Sequence, residues 1–314
     1  MMIILPRRKR KSPNKNKMKK KLFQFWKPLV SVMFWGSSFV ATKVALVELN
    51  PLTIIILRLI LAIFLLIAVA LFTKRDFKTT WKNHGGIFFL AVIAVFHLWI
   101  QITGLNETTA ANTGWIIGVT PVFIAILGII FFRERMKFIN VSGMFIAFFG
   151  LLLLISKGDL MSVGLISHRG DFLVLASTVT WSFYSIMNKK ISISYSPLMT
   201  ILYLFIMMTI VIAPFTINSE SVNAIVHLSL NGWIAVLFLG VFCSGVAYVL
   251  WAQSLKEFDA SKVGAFLYIE PFFTVIGAWF VLKEKISLLT LFSGIIITIG
   301  VVLVNKKYVN VAKP

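Results

Sequence analysis

Apolar residues run along this chain in blocks separated by short polar links. Ten blocks follow one another, at residues 28–48, 52–72, 85–104, 111–132, 139–156, 171–189, 198–217, 231–253, 262–282 and 288–305. A helix of roughly 18–22 apolar residues crosses a hydrocarbon layer of about 30 Å. Backbone groups find no water there, and a helix satisfies them within one segment where a lone strand cannot. The pattern predicts an all-α integral membrane protein with ten transmembrane helices. No link is long enough to fold as a soluble domain.

The pattern also repeats. At an offset of 146 residues, Trp35, Lys43 and Pro51 match Trp181, Lys189 and Pro197. Trp99 and Gln101 recur as Trp251 and Gln253, 152 residues on. At an offset of 150, Leu105, Glu107, Ala110, Gly114, Pro121, Glu134 and Gly150 recur as Leu255, Glu257, Ala260, Gly264, Pro271, Glu284 and Gly300. The order is collinear, so the chain reads as two five-helix copies, 28–156 and 171–305, with a basic tail at 1–27 and a short tail at 306–314. A duplicated membrane unit is the build of a secondary transporter, with its path where the copies meet.

Composition sharpens this. With 59% hydrophobic and 13% charged residues and a mean hydropathy of +0.91, an ordinary soluble protein is excluded. One cysteine, Cys243 inside a block, excludes a disulfide framework and a thiolate metal site. The net charge of +20 is concentrated: residues 1–27 hold 11 Lys/Arg and no acid. RRKRK and KMKKK could bind nucleic acid or anionic lipid, but a cytoplasmic tail that fixes orientation is the simpler reading, and no nucleic-acid partner is expected. Met18 opens MKKKLFQFW, which resembles a natural start, so residues 1–17 are open to reading as an artefact of the assigned start. No small-residue cleavage site follows the first block, which reads as a retained span.

Loop charge gives the orientation. Eleven basic residues (Lys74, Arg75, Lys78, Lys82, Arg133, Arg135, Lys137, Lys189, Lys190, Lys256, Lys262) fall in alternate links on the side of the tail, against four (Lys157, Arg169, Lys283, Lys285) opposite. The positive-inside rule then puts both termini in the cytoplasm of a cell-membrane protein. Five spans per copy is odd, so the second copy lies inverted relative to the first, a simple basis for alternating access.

Several residues could carry chemistry. Gly114, Gly118, Pro121, Ala125 and Gly128 form a small stripe on the fourth span, and Gly264, Tyr268, Pro271, Val275 and Ala278 keep its spacing on the ninth. Such stripes mostly serve close helix packing. The prolines free carbonyls of the preceding turn, which makes Pro121 and Pro271, with Gly114, Gly118 and Gly264, candidates for helix breaks or gating. Glu270 precedes Pro271 where the first copy has Thr120. A carboxylate inside a span costs roughly a few kcal/mol unless paired, protonated or wetted by a cavity, so Glu270 is either a structural partner of a neighbouring helix or a cavity group open to proton coupling. Lys43 lies near a span end and can snorkel to water. Arg58 lies deeper, and either pairs with an acid such as Glu270 or binds an anionic group. Trp35, Gln101, Asn112, Trp115, Trp181, Tyr184, Tyr248, Gln253 and Tyr268 are candidate wall residues of a substrate path, together with Trp99, Asn188 and Trp251. His97 is the one histidine within a span; without a partner it makes neither a metal site nor a catalytic pair, and it is read as structural. No phosphate-binding glycine loop or nucleophile–base motif is present, and no cofactor or metal is expected.

TPVFIAILGIIFFRER and IEPFFTVIGAWFVLKEK resemble the EamA family of the drug/metabolite transporter superfamily, and FWGSSFVATKVAL with the Arg58-bearing span fits the opening of the same repeat. The resemblance covers about residues 28–305. It implies a ten-helix secondary transporter of the inner membrane, usually an exporter of amino acids or other small metabolites, with a cavity between two five-helix halves. Trp35, Lys43, Arg58, Pro121, Glu134, Glu270, Pro271 and Glu284 stand at matching positions. The second copy has no basic residue at 198–217, so any role of Arg58 is one-sided. Glu134 and Glu284 sit at span ends between basic residues, where a structural or gating role fits better than substrate contact. Transport of a small molecule, among membrane lipids, is the leading expectation. A multi-span enzyme acting on a lipid would need a convergent His/Asp/Glu cluster, and His84, His97, His168 and His227 are scattered. A receptor or scaffold would carry sizeable soluble segments. Facilitative uptake stays open beside proton-coupled export.

Overall fold

The computed structural model describes residues 25–77, 81–132, 137–158, 169–191, 193, 195–257, 263 and 265–304. Among these the secondary structure is helical, with no strand. The first copy comprises α1 (Trp26–Ala45), α2 (Pro51–Phe72), α3 (Trp81–Glu107), α4 (Ala110–Ile117), α5 (Thr120–Phe132) and α6 (Phe138–Ile155). The second comprises α7 (Arg169–Lys190), α8 (Pro197–Thr216), a short α9 (Ser219–Val226), α10 (Leu230–Leu237), a wide π turn (Phe238–Val246), α11 (Ala247–Glu257), a tight 3-10 turn (Ala265–Ile269), α12 (Glu270–Val281) and α13 (Leu288–Val304).

Matching sequence gives matching starts. α2 and α8 each open on Pro, behind Asn50 and Ser196, whose side-chain oxygens accept from the backbone N–H groups of Thr53 (2.9 Å) and Met199 (3.4 Å). Proline loses no hydrogen bond at a first helical position, and the cap fills an orphan donor.

Among the described residues seven helical stretches are long and apolar enough to cross a membrane, with Phe266–Val281 and Leu288–Val304 as shorter apolar helices. The expected sixth span, α7, is outside both sets. It carries a row of hydroxyls that bond back to its own carbonyls: Ser177 to Val174, Thr178 to Leu175, Thr180 to Ser177, Ser182 to Thr178 and Ser185 to Trp181. Such back-bonding satisfies the hydroxyls inside an apolar surround.

Two expected spans are interrupted. The fourth breaks between α4 and α5 at Gly118 and Val119. Pro121 lacks the N–H that would reach Ile117, and Thr120 Oγ1 donates to that carbonyl at 2.6 Å. The ninth is a tight turn that becomes regular only at Glu270–Pro271. Glu270 therefore opens a helix instead of lying well inside one.

The long-range packing joins one copy to the other. α1 lies against α11 and α12, while α7 lies against α3, α4 and α5, the pairs exchanged by the sequence offset. The π turn packs on α2 as α3 packs on α8; α2 meets α8, and α6 meets α13. At the α6–α13 crossing, a Cβ on Gly150 would sit 2.9 Å from Ile297 N, and one on Gly300 would strike the Ala147 backbone. Small residues let these backbones approach, and dispersion contacts hold them.

Candidate functional site

A cavity of about 90 Å³ lies where both copies meet, lined among others by Trp35, Arg58, Gln101, Thr120, Trp181 and Glu270. Trp181, Tyr248 and Leu98 reach it from one apolar core, and Phe39 and Ile117 from the other. The volume is well below the roughly 300–1,000 Å³ of common ligand pockets, so this conformer is constricted.

The π turn stands behind the cavity and holds two of its lining residues, Trp35 and Arg58. A π turn admits an extra residue and is frequent at functional sites. Here the Cys243 carbonyl accepts from Trp35 Nε1 at 3.1 Å, and Ser244 Oγ accepts from Arg58 Nε at 2.9 Å. Trp35 is further held by Tyr248 and Trp251, with ring centroids 5.3 and 5.1 Å away. Gly240 brings the turn onto α2, where a Cβ would fall 2.5 Å from Leu61 Cβ.

Arg58 and Glu270 are both buried, at 7% and 8% exposure, and both line the cavity. Among the described residues no ion pair joins them. Of the two readings of Arg58, an ion pair with Glu270 does not form among the described residues and binding of an anionic group stays open, and a basic and an acidic side chain face one space. Thr120, the first-copy counterpart of Glu270, spends its hydroxyl on the Ile117 carbonyl at the end of α4. The Glu270 side chain makes no such bond, while its carbonyl accepts from Thr274 Oγ1 at 3.2 Å.

The structure sorts the remaining candidates. Gln101, Gly118, Pro121, Trp181 and Tyr248 join the cavity wall. Tyr184 lies behind it, stacked on Trp181 at 4.9 Å. Pro271 packs against Gly118, and Gly114 against Thr274. Trp115 is a packing residue, fully buried over Gly294 and edge-on to Phe272. Gln253 is exposed, and Tyr268 is half-buried off the cavity lining. Among the other wall candidates, Trp99 is exposed on α3 and Asn188 on α7, neither on the cavity. Glu134 and Gly264 lie outside the described residues.

Lys43, Asn112 and Glu284 belong to one end of the bundle. Glu284 accepts from the backbone N–H groups of Ala110 at 2.8 Å and Ala111 at 3.1 Å, so a carboxylate of the second copy caps α4 of the first. Lys43 Nζ donates to the Asn106 carbonyl at 3.3 Å, Asn112 Nδ2 to Asp171 at 3.5 Å, and Arg169 pairs with Glu107 at 3.6 Å. At the other end, Lys27 pairs with Glu257 and Phe25 stacks on Phe266. Both ends of the cavity region are tied between copies.

Sequence reasoning passed over Ser38, Thr120, Ser244 and His97, all polar groups on or beside this wall. His97 lies one turn before Gln101, and that i, i+4 polar pair on one helix face was the available signal. Among the described residues no cluster of metal-ligating side chains occurs.

Known proteins with this pattern are membrane transporters. The EamA-like transporter family model matches the chain twice, at residues 26–156 and 168–306. A protein of Archaeoglobus fulgidus named an uncharacterized transporter is 30% identical over 279 residues, covering 88% of this chain and 96% of its own. The Bacillus subtilis uncharacterized transporter YyaM is 27% identical, covering 86% and 89%. A WAT1-related chloroplastic protein of Arabidopsis thaliana is also 27% identical, covering 90% of this chain and 70% of its own. A crystal structure with 17% identity has the same fold over 90% of this chain, with a TM-score of 0.65.

Proposed function

Since the chain belongs to the EamA-like transporter family and is a multi-pass membrane transporter, we propose that it exports a small metabolite, an amino acid or a related compound, by proton-coupled alternating access. The proposed arrangement is ten spans in two inverted five-helix copies, 28–156 and 171–305, with both termini on the cytoplasmic side of the cell membrane. The observation that carries the substrate class is the pair of unpaired charges in the cavity. A zwitterion places its carboxylate at Arg58 and its ammonium at Glu270, neutralising both without either meeting the other. Trp35, Trp181 and Tyr248 supply aromatic faces between them.

Proton coupling rests on Glu270. It opens α12 beside a proline and has no competing side-chain partner among the described residues, so it can hold either a proton or a cationic group. Exclusive occupancy by one or the other is what couples two fluxes. The exchanged crossings of α1 with α12 and α7 with α5 support the inverted arrangement, because each copy presents the same elements to the other.

Metabolite profiling of overproducing cells beside cells lacking the protein tests this reading. Export lowers the internal and raises the external level of at least one zwitterionic compound, and an imposed pH gradient changes its flux in everted vesicles. Identical internal-to-external ratios for all amino acids in the two strains would remove it.

A further inference from the structure

We propose that His97 is a specificity-determining residue of this cavity, presenting the lone pair of Nε2 to an ammonium or hydroxyl donor of the substrate. The argument begins on the far side of the ring. Nδ1 lies 2.9 Å from the Ser177 carbonyl oxygen. A carbonyl only accepts, so Nδ1 carries the proton and the neutral ring keeps its lone pair on Nε2. That carbonyl also takes the Thr180 hydroxyl at 2.9 Å, which fills its second lone pair.

Nε2 is left with one weak neighbour. Gln101 Nε2 stands 3.5 Å away, at the outer limit of a hydrogen bond, and both side chains line the cavity. The ring is 5% exposed and cannot turn freely. Trp181 lies against it at 5.0 Å, with Tyr184 stacked behind at 4.9 Å. A fixed acceptor at a cavity wall with an underused lone pair selects for ligands that bring a donor, because a ligand without one leaves it unpaired. A purely structural histidine needs only the Ser177 bond and the stack, and would place no demand on Nε2.

The proposal rests on the transport reading above, and two measurements on the full chain separate them. One is counterflow into proteoliposomes with a 14C-labelled algal amino-acid hydrolysate, each compound resolved after uptake. His97→Asn keeps a donor toward Ser177 and removes the acceptor at the Nε2 position. It should raise half-saturation for the transported compounds roughly three- to tenfold, the loss of one hydrogen bond, with maximal rate and membrane abundance unchanged. A His97→Asn protein with wild-type half-saturation overturns the assignment while leaving transport intact. The other measurement is the ring-15N spectrum of histidine-labelled protein at mildly alkaline pH, with the His97 signal assigned by its loss in His97→Asn. An unprotonated Nε2 is expected, and an Nε2–H overturns the assignment directly. If wild-type vesicles retain no label, the amino-acid reading falls and the half-saturation argument for His97 falls with it, while an Nε2–H in the ring spectrum overturns the His97 assignment independently.

Discussion

Arg58 and Glu270 face the same small cavity from opposite copies, yet Arg58 spends its Nε–H on Ser244 and makes no ion pair with the acid. Under the proposed zwitterion reading, the space between these two side chains takes a ligand that carries both signs. Arg58→Ala and Glu270→Gln should each lower transport about 10- to 100-fold at unchanged membrane abundance, the scale of a charged hydrogen bond of about 1.5–3 kcal/mol. Arg58→Lys should rescue only part of the loss, since a point charge lacks the guanidinium fork. Flux assays normalised to membrane abundance check this; wild-type flux in all three variants would make both charges bystanders.

Glu284 caps α4 across the copy boundary, and removing it should loosen that helix start. Glu284→Ala should cost about 1–2 kcal/mol locally, typical of a lost cap, and speed amide exchange at Ala110 and Ala111 by roughly 5- to 30-fold. Glu284→Gln retains an acceptor and should fall between. Exchange confined to wild-type rates in the alanine variant would mean that Thr109 alone, whose hydroxyl accepts from Asn112 N–H at 3.0 Å, suffices to hold the start of α4.

Glu48, in the link between α1 and α2, accepts from Ser229 N at 2.8 Å and Ser229 Oγ at 2.6 Å. These bonds, the hydroxyl first, hold its carboxyl below the usual carboxylate range. A lowered folded-state value means that the ionised form favours folding: the contribution is complete above the unfolded value of about 4.3 and fades as pH falls through the lowered one. Thermal unfolding in detergent between about pH 6 and pH 3 should show that fade, and Ser229→Ala should shrink it, because the folded value then moves back toward the unfolded one. Superimposable profiles of the two proteins would place the acid sensitivity elsewhere.

Reporter fusions should read cytoplasmic after residues 78, 135 and 310 and external after 106 and 222, as the loop charges require. Opposite compartments at 135 and 310 would refute five spans per copy.

Much of this arrangement was legible in the sequence, for identifiable reasons. Burying a charge in an apolar run is costly, so Arg58 and Glu270 stood out as residues needing a partner or a cavity, though their sequence left that choice open, and both line the cavity. The offsets of Trp35 to Trp181 and Pro121 to Pro271 exposed the duplication, because the same crossings need the same residues twice. What stayed hidden depends on partners far along the chain. Glu284 reads as one acid between two lysines until α4 is brought to it, 174 residues away in sequence. The π turn is a choice of hydrogen-bond register that Gly240 and Gly245 permit but do not dictate. His97 reads as structural because one histidine without a partner makes neither a metal site nor a catalytic pair, whereas its decisive bond is to a backbone carbonyl of α7.

The crossings at Gly36, Gly150 and Gly300 carry a mechanical consequence. At Gly36 a Cβ would fall 2.6 Å from the Glu270 carbonyl oxygen, so α1 rides directly on the turn that holds the cavity acid. Two copies interlaced in this way cannot part like shells without exposing their seams to lipid. Under the proposed alternating access they would tilt past one another at these close approaches, as on bearings, where backbone meets backbone with only short side-chain stems such as Phe273 Cβ and Ile297 Cγ1 beside it. A methyl group at Gly36 would act as grit: it would push α1 off Glu270 and, under the proposed alternating access, stiffen the exchange even where the fold itself survived.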